Sequence, residues 1–189
     1  KEEGVDIIHA HSRASQVASH FASRLTGAPY VTTCHGYFKK RSRGLFDTWG
    51  ARVIAISDAV KIHLKEDLNI DDGRIALVYT GVDIDKFSMV HTKDELFSIK
   101  NMLGLKDEPI IGTIGRLSPV KGHRFLIEAI KEIRDRGQKV QGILIGDGPE
   151  EESLKGLAKQ LGIDDSFYFF RSALNTAEYL AIMDMFVFP

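Results

Sequence analysis

Apolar positions along this chain fall into two alternating patterns. Short runs rich in β-branched residues read as strands, and the longer stretches between them repeat their apolar residues at helical spacing. Val5-Asp6-Ile7-Ile8 is the first short run. Val17, Ala18, Phe21, Ala22 and Leu25 then fall on one helical stripe that Gly27 stops. Tyr30 to Thr33, Val53 to Ile56 and Ile75 to Tyr79 are further strands, and Ser57 is placed to cap a helix carrying Val60 and Leu64. The second half repeats the rhythm. Pro109 to Gly115 is a strand, and the helix after it shows Phe125, Leu126, Ala129, Ile130 and Ile133 on one side. Val140 to Ile145 is a strand broken by Gly142, and Leu154, Leu157, Ala158 and Leu161 form the next helical stripe. Phe167 to Phe170 is a strand, and a last helix capped by Thr176 turns Tyr179, Leu180 and Met183 inward.

Repeated strand–helix–strand units predict parallel sheets covered by helices on both faces. Between Thr80 and about Leu105 the periodicity weakens, and Gly81, Asp83, Asp85 and Gly104 interrupt it. The stretch 81–106 therefore reads as a junction with a short helix near Leu96 to Met102. It separates a first Rossmann-like part, 1–80, from a second, 107–189. In open parallel sheets ligands bind at the carboxyl ends of the strands. That rule directs attention to His9 to Ser12, His35-Gly36, Ser57, Gly115-Arg116 and Gly146-Asp147-Gly148, all of which directly follow a strand.

Composition narrows the function classes. The 189 residues are 43 % hydrophobic and 27 % charged, ordinary for a globular protein. A net charge of -1 argues against a general nucleic-acid binder, which needs a basic surplus. The single cysteine, Cys34, allows no intrachain disulfide and fits a reducing, cytoplasmic compartment. No apolar run approaches the roughly 20 residues of a membrane span. The chain opens without methionine and closes on an apolar strand, so both ends read as cut from a longer protein, leaving both Rossmann-like parts incomplete.

The segment Gly115-Arg116-Leu117-Ser118-Pro119-Val120-Lys121-Gly122-His123 is the richest in chemistry. A buried strand ends, and two cations lie on the loop leading into a helix. The helix start offers unpaired N–H groups and the positive end of a dipole. Arg116 can grip phosphate oxygens in a bidentate fork, and Lys121 adds a mobile point charge. Together they suit a diphosphate, and Gly115 and Gly122 allow close approach of the backbone. The segment is not a Walker A loop, which needs Gly before the lysine and Ser or Thr after it where Val120 and Gly122 stand, and it is not the Gly-x-Gly-x-x-Gly dinucleotide fingerprint either. Spacing alone leaves open a solvated loop with two surface cations.

With these pieces the sequence resembles the retaining glycosyltransferases of family four, which have the GT-B fold of two Rossmann-like domains. The matching segments, in order, are Asp6 to His11, Thr33-Cys34-His35-Gly36, Arg52 to Ser57, Gly81-Val82-Asp83 with Phe87, Gly112 to Gly122, Ile145 to Pro149, and Asp184 to Pro189. Each is weak alone, and their shared order makes the signal specific. The resemblance implies that Arg116 and Lys121 hold the diphosphate of a nucleotide-sugar donor, and that Gly115, Gly146, Asp147 and Gly148 line the nucleotide. It implies that His35 lies near the sugar and acceptor, and that the acceptor is a saccharide or lipid-linked. It implies a metal-independent reaction with retention and no further cofactor, within cell-surface polysaccharide or lipopolysaccharide synthesis.

His9 and His11 read as structural, since no third metal ligand is evident. Asp83-Ile84-Asp85 spells a metal-binding Asp-x-Asp motif, but it sits inside the junction segment and is not assigned a metal. Lys39, Lys40, Arg41 and Arg43 are flanked by Tyr37, Phe38, Phe46 and Trp49, a composition able to touch an anionic membrane at its inner face. The chain departs from the family pattern at Thr80 and Arg171. The acidic segment that contacts the donor sugar in the family is expected just beyond Pro189, so this piece alone is expected to be inactive. A nucleotide-sugar epimerase of the same fold and a non-catalytic nucleotide-binding module remain as alternatives.

Overall fold

The computed structural model describes residues 4–38, 48–171 and 176–189. The chain forms two compact units, Lys1–Val82 and Asp83–Pro189, each built on its own parallel sheet.

The first sheet holds β1 (Ile8–Ala10), β2 (Tyr30–Cys34), β3 (Arg52–Ala55) and β4 (Ile75–Leu77) in sequence order. Helix α1 (Arg13–Thr26) links β1 to β2, and α2 (Asp58–Glu66) links β3 to β4. Ser12 opens α1 with a reciprocal capping box to Ser15, and Gly27 closes it at φ 78°. Ser57 caps α2 by accepting from the Val60 amide, as its position in the sequence suggests. Cys34, Trp49, Val53, Ala55, Val60, Leu64, Ile70 and Ile75 form the core.

Two expectations for this unit are corrected. The first strand starts later than the Val5 to Ile8 run. The α1 stripe also faces outward, with Val17, Phe21 and Leu25 exposed by 44 %, 56 % and 83 %, while Gln16 and Ser19 are buried. Periodicity identifies a stripe, but not which side of a helix meets the sheet. Here the polar side does, with Gln16 tied to Arg13 at 2.7 Å and the Arg13 guanidinium stacked 5.1 Å over Trp49.

The second unit opens with α3 (Ile84–Phe87) and α4 (Lys93–Met102). It continues through β5 (Ile110–Ile114), α5 (His123–Asp135), β6 (Gln141–Ile145), α6 (Glu151–Gln160), β7 (Phe167–Phe170), α7 (Thr176–Ile182) and β8 (Met185–Phe186). Its sheet runs β7-β6-β5-β8, all parallel. Leu144 points into a core with Leu126, Ile127 and Ile130 of α5 and Leu154 and Ala158 of α6. Its neighbours Ile143 and Ile145 point the other way, toward Leu96 and Ile99 of α4 and Ile182 of α7. The strand period of two thus puts two helices on each face.

The short helix expected near Leu96 is α4, begun by a capping box between Thr92 and Glu95. It packs into the core of the second unit, whose start falls at Asp83. Within α5, Ile127 is buried and Phe125 is 61 % exposed, so the inward stripe is rotated from the one expected. In α7 the buried residues are Ala177 and Ile182. Gly142 does not break its strand. A Cβ there would meet the Phe167 ring at 2.4 Å, so glycine lets an aromatic from β7 lie across β6.

Gln141 is wholly buried at the start of β6. Its amide donates to the carbonyls of Lys106 and Glu108 at 2.6 and 2.8 Å, and its oxygen accepts from the Lys106 amide at 3.0 Å. It therefore fixes the approach to β5. Replacing it by Leu strands three backbone groups in the interior, and each such group costs about 1–3 kcal/mol. Gln141→Leu is expected to lower the unfolding free energy from chemical denaturation by about 3 kcal/mol or more, and a change below about 1 kcal/mol would contradict this role.

Candidate functional site

Strand order decides where a ligand can enter the second unit. From β5 the chain steps to β6 and then β7 on one side, and returns to β8 on the other side of β5. The order therefore reverses at β5, and crevices open beyond the carboxyl ends of the strands at such points. The loop that leaves β5 there is Gly115 to Gly122.

Backbone contacts hold this loop. The Gly115 amide donates to Ile145 at 2.9 Å, the Leu117 amide to Asp147 at 3.0 Å, and the Glu150 amide to Leu117 at 3.2 Å. Glycines make that proximity possible. A Cβ on Gly146 would stand 1.9 Å from the Gly115 carbonyl oxygen, and one on Gly148 would stand 2.2 Å from that of Leu117. The loops after β5 and β6 are thus one knitted surface, and Gly115, Gly146, Asp147 and Gly148 lie together on it.

On that surface Arg116 is exposed. Pro119–Lys121 form a 3-10 turn, and Gly122 at φ 65° delivers the chain into α5. The Lys121 ammonium lies 5.0 Å over the Phe188 ring, a cation–π contact with the segment after β8. Thr113, Ile114, Lys121, His123, Phe188 and Pro189 line a hollow of about 10 Å³ between these two loops. Asp184 sets that second loop in place, since its carboxylate accepts from the Ile110 amide at 2.8 Å and its own amide donates to the Ile110 carbonyl at 3.0 Å. Two cations, open amides at a helix start and a glycine-lined floor are what an anion with several oxygens requires.

In the first unit, His35 follows β2 and is exposed. Cys34 beneath it is fully buried, and its thiol bonds the Gly36 carbonyl at 3.2 Å, which shapes the turn. Burial pushes the Cys34 thiol up from its ordinary value. His63 of α2 steadies the same turn: its Nε2 accepts from the Phe38 amide at 3.0 Å, so Nδ1 carries the hydrogen donated to Asp67 at 2.6 Å.

His9 and His11, read from the sequence as structural, form a group with His35. His11 Nδ1 lies 3.1 Å from His35 Nε2, and the His9 and His11 rings are 4.1 Å apart. His9 Nε2 also bonds the Thr33 hydroxyl at 2.8 Å. The signal was available: β1 and β2 are parallel neighbours with His9 opposite Val31, so residues just past their ends converge. Loss of water around the His9 ring, followed by the neighbouring His11 and His35, lowers its pKa.

Asp83 uses its carboxylate to cap α3, accepting from the Lys86 amide at 3.2 Å. Lys39, Lys40, Arg41 and Arg43 lie outside the described residues. Among the described residues, no helix is long and apolar enough to cross a membrane.

Comparison with known proteins gives consistent matches. Residues 1–86 match the family model described as Glycosyltransferase Family 4, and residues 97–189 match Glycosyl transferases group 1. The chain is 30 % identical over 171 residues to the Escherichia coli UDP-Gal:alpha-D-GlcNAc-diphosphoundecaprenol alpha-1,3-galactosyltransferase, covering 82 % of this chain and 44 % of that protein. It is 27 % identical to alpha-D-kanosaminyltransferase of Streptomyces kanamyceticus, with 84 % and 46 % covered. The chain thus spans about half the length of the curated relatives it matches. Among solved structures, Anabaena HepE in complex with UDP and glucose superposes with a TM-score of 0.82 at 22 % identity, over 96 % of this chain and 52 % of that one. At that identity the likeness concerns the fold.

Two outcomes test this geometry. Gly148→Ala would press a methyl group into the Leu117 backbone, and backbone cannot give way cheaply. The substitution is expected to destabilise the second unit by about 1–3 kcal/mol and to disturb amide resonances on both loops; resonance changes confined to residues near 148 would count against the knitted surface. For His9, the folded-state pKa is depressed, so acid favours the unfolded chain. Its contribution is full above about pH 6.5 and declines as pH falls toward the lowered folded value. Thermal midpoints measured from neutral to acidic pH should fall less in His9→Gln than in the wild type.

Proposed function

We propose that the full-length protein carrying this chain, which belongs to the GT-B glycosyltransferases, transfers a sugar from a nucleoside-diphosphate donor to a saccharide or lipid-linked acceptor. The observation that carries this reading is the Gly115 to Gly122 loop at the reversal point of the second sheet, with exposed Arg116 and half-buried Lys121 on a glycine-closed floor.

In this reading Arg116 takes the diphosphate oxygens in a fork, and Lys121 leaves the Phe188 ring to meet the same group. When the bond between the anomeric carbon and the donor oxygen breaks, negative charge grows on the departing diphosphate. Fixed cations and the amides at the start of α5 stabilise that charge, so the chemistry calls for no divalent cation. His35 would contact the sugar or acceptor, in contact with His11. No residue among those assigned is a suitable covalent nucleophile, so retention would follow from departure and attack on one face, with binding supplying orientation. The name of the Escherichia coli relative specifies an undecaprenol-linked acceptor. It supports a lipid-linked acceptor here, a role in cell-surface polysaccharide synthesis and work at the inner face of a membrane.

Calorimetric titration of UDP, GDP and ADP into the full-length protein, with and without EDTA, tests the donor site. One nucleotide should bind regardless of EDTA and lose affinity in Arg116→Ala. With the matching donor, that substitution should slow turnover roughly 100-fold, or about 3 kcal/mol of barrier. Binding that requires a divalent cation and survives Arg116→Ala would overturn the assignment.

A further inference from the structure

His123 stands at the first position of α5 and is 2 % exposed, although its sequence neighbours Arg124 and Phe125 are open to solvent. Its Nε2 lies 3.0 Å from the carbonyl oxygen of Arg116. A carbonyl only accepts, so the ring must place its hydrogen on Nε2 and donate it. That leaves Nδ1, which is buried and has no partner among the described residues. His123 also lines the hollow shared by Lys121 and Phe188, whose roughly 10 Å³ is about the room that one water needs.

The other end of the same peptide unit is held as well. The Arg116 carbonyl and the Leu117 amide belong to one plane, and the Leu117 amide donates to Asp147 at 3.0 Å. One edge of the plane is bound by the helix that follows the loop, and the opposite edge by the neighbouring loop. Rotation of this peptide would break both bonds at once. The backbone that carries the Arg116 side chain is therefore held by a residue seven positions later in the chain.

We propose that His123 is a positioning residue: its Nε2–H pins the Arg116–Leu117 peptide and so holds the backbone from which the Arg116 guanidinium reaches the anion. This inference deepens the proposed donor site and rests on that reading for its effect on ligand, but the pin itself is a property of the free protein. Leucine at 123 would fill much of the space and leave the Arg116 carbonyl without its donor. Glutamine places an amide N–H near the position of Nε2 and can restore the bond.

The test has two independent arms on the full-length protein. Long-range proton–nitrogen NMR of the histidine side chains should show the His123 hydrogen on Nε2. A resonance pattern with the hydrogen on Nδ1 would overturn the proposal whatever the ligand does. In the second arm, the tightest binder among UDP, GDP and ADP is titrated into the wild type, Arg116→Ala, His123→Leu and His123→Gln, with thermal midpoints recorded. We expect His123→Leu to weaken binding about tenfold, the effect of losing about 1.4 kcal/mol, and His123→Gln to recover most of it. Recovery should occur even if both variants melt at the same temperature, which separates positioning from bulk stability. Unchanged affinity in His123→Leu, beside lost affinity in Arg116→Ala, would overturn the proposal. If Arg116→Ala binds like the wild type, the donor-site reading fails instead, and the tautomer alone then decides whether the pin exists.

Discussion

The second unit depends on a close approach of two backbone segments. The loops after β5 and β6 meet so tightly that neither Gly146 nor Gly148 has room for a Cβ. Amides from one loop find their carbonyls in the other, so no side chain is needed to close the floor. Side chains are thereby left for chemistry. The same contact explains why the floor is closed while Arg116 above it is exposed: the hydrogen bonds lie within the backbone layer, and Arg116 projects from it.

Buried histidines carry the same logic into both units. In the first, His63 accepts from the Phe38 amide and donates to Asp67, which steadies the turn bearing His35. In the second, His123 donates to the Arg116 carbonyl. Imidazole suits this work because one ring offers a donor and an acceptor on opposite sides, and the partner determines which nitrogen is which. A carbonyl partner at 123 and an amide partner at 63 select opposite hydrogen placements. His123 is tied to Arg116 itself, whereas His63 acts at one remove, through the Phe38 backbone three residues past His35.

Much of this was legible in the sequence because parallel α/β folds write their ligand loops at the ends of strands. Gly115 to Lys121 and Gly146 to Gly148 could be placed together once strand and helix alternated. The sequence hid what depends on packing across elements. The apolar stripe of α1 is real but faces away from its sheet, because Gln16 and Ser19 make the contact. Gly142 looked like a break and is a seat for the Phe167 ring. His11 looked separate from His35 until the register of β1 on β2 brought their loops side by side. The role of His123 was invisible for a related reason. Its neighbour in space is a carbonyl, and backbone positions leave no trace in residue type.

The arrangement of the two cations follows from what it costs to hold them. An exposed arginine or lysine loses up to about 2 kcal/mol of side-chain freedom when fixed, so two such residues could cancel much of what they gain from an anion. The structure limits that loss differently at each position. At Arg116 the backbone is fixed from both edges of one peptide, which removes main-chain freedom and leaves only the side chain to be ordered. At Lys121 the ammonium already rests 5.0 Å over Phe188, so part of its freedom is lost before any ligand arrives. The attraction to a ring is weak beside that to a phosphate, about 1 kcal/mol at partly exposed sites. A diphosphate can therefore draw Lys121 off the ring, while a weakly charged group cannot repay the exchange. In the proposed donor site, preference for a multiply charged ligand would thus follow from where the loop keeps its lysine as much as from the presence of two positive charges.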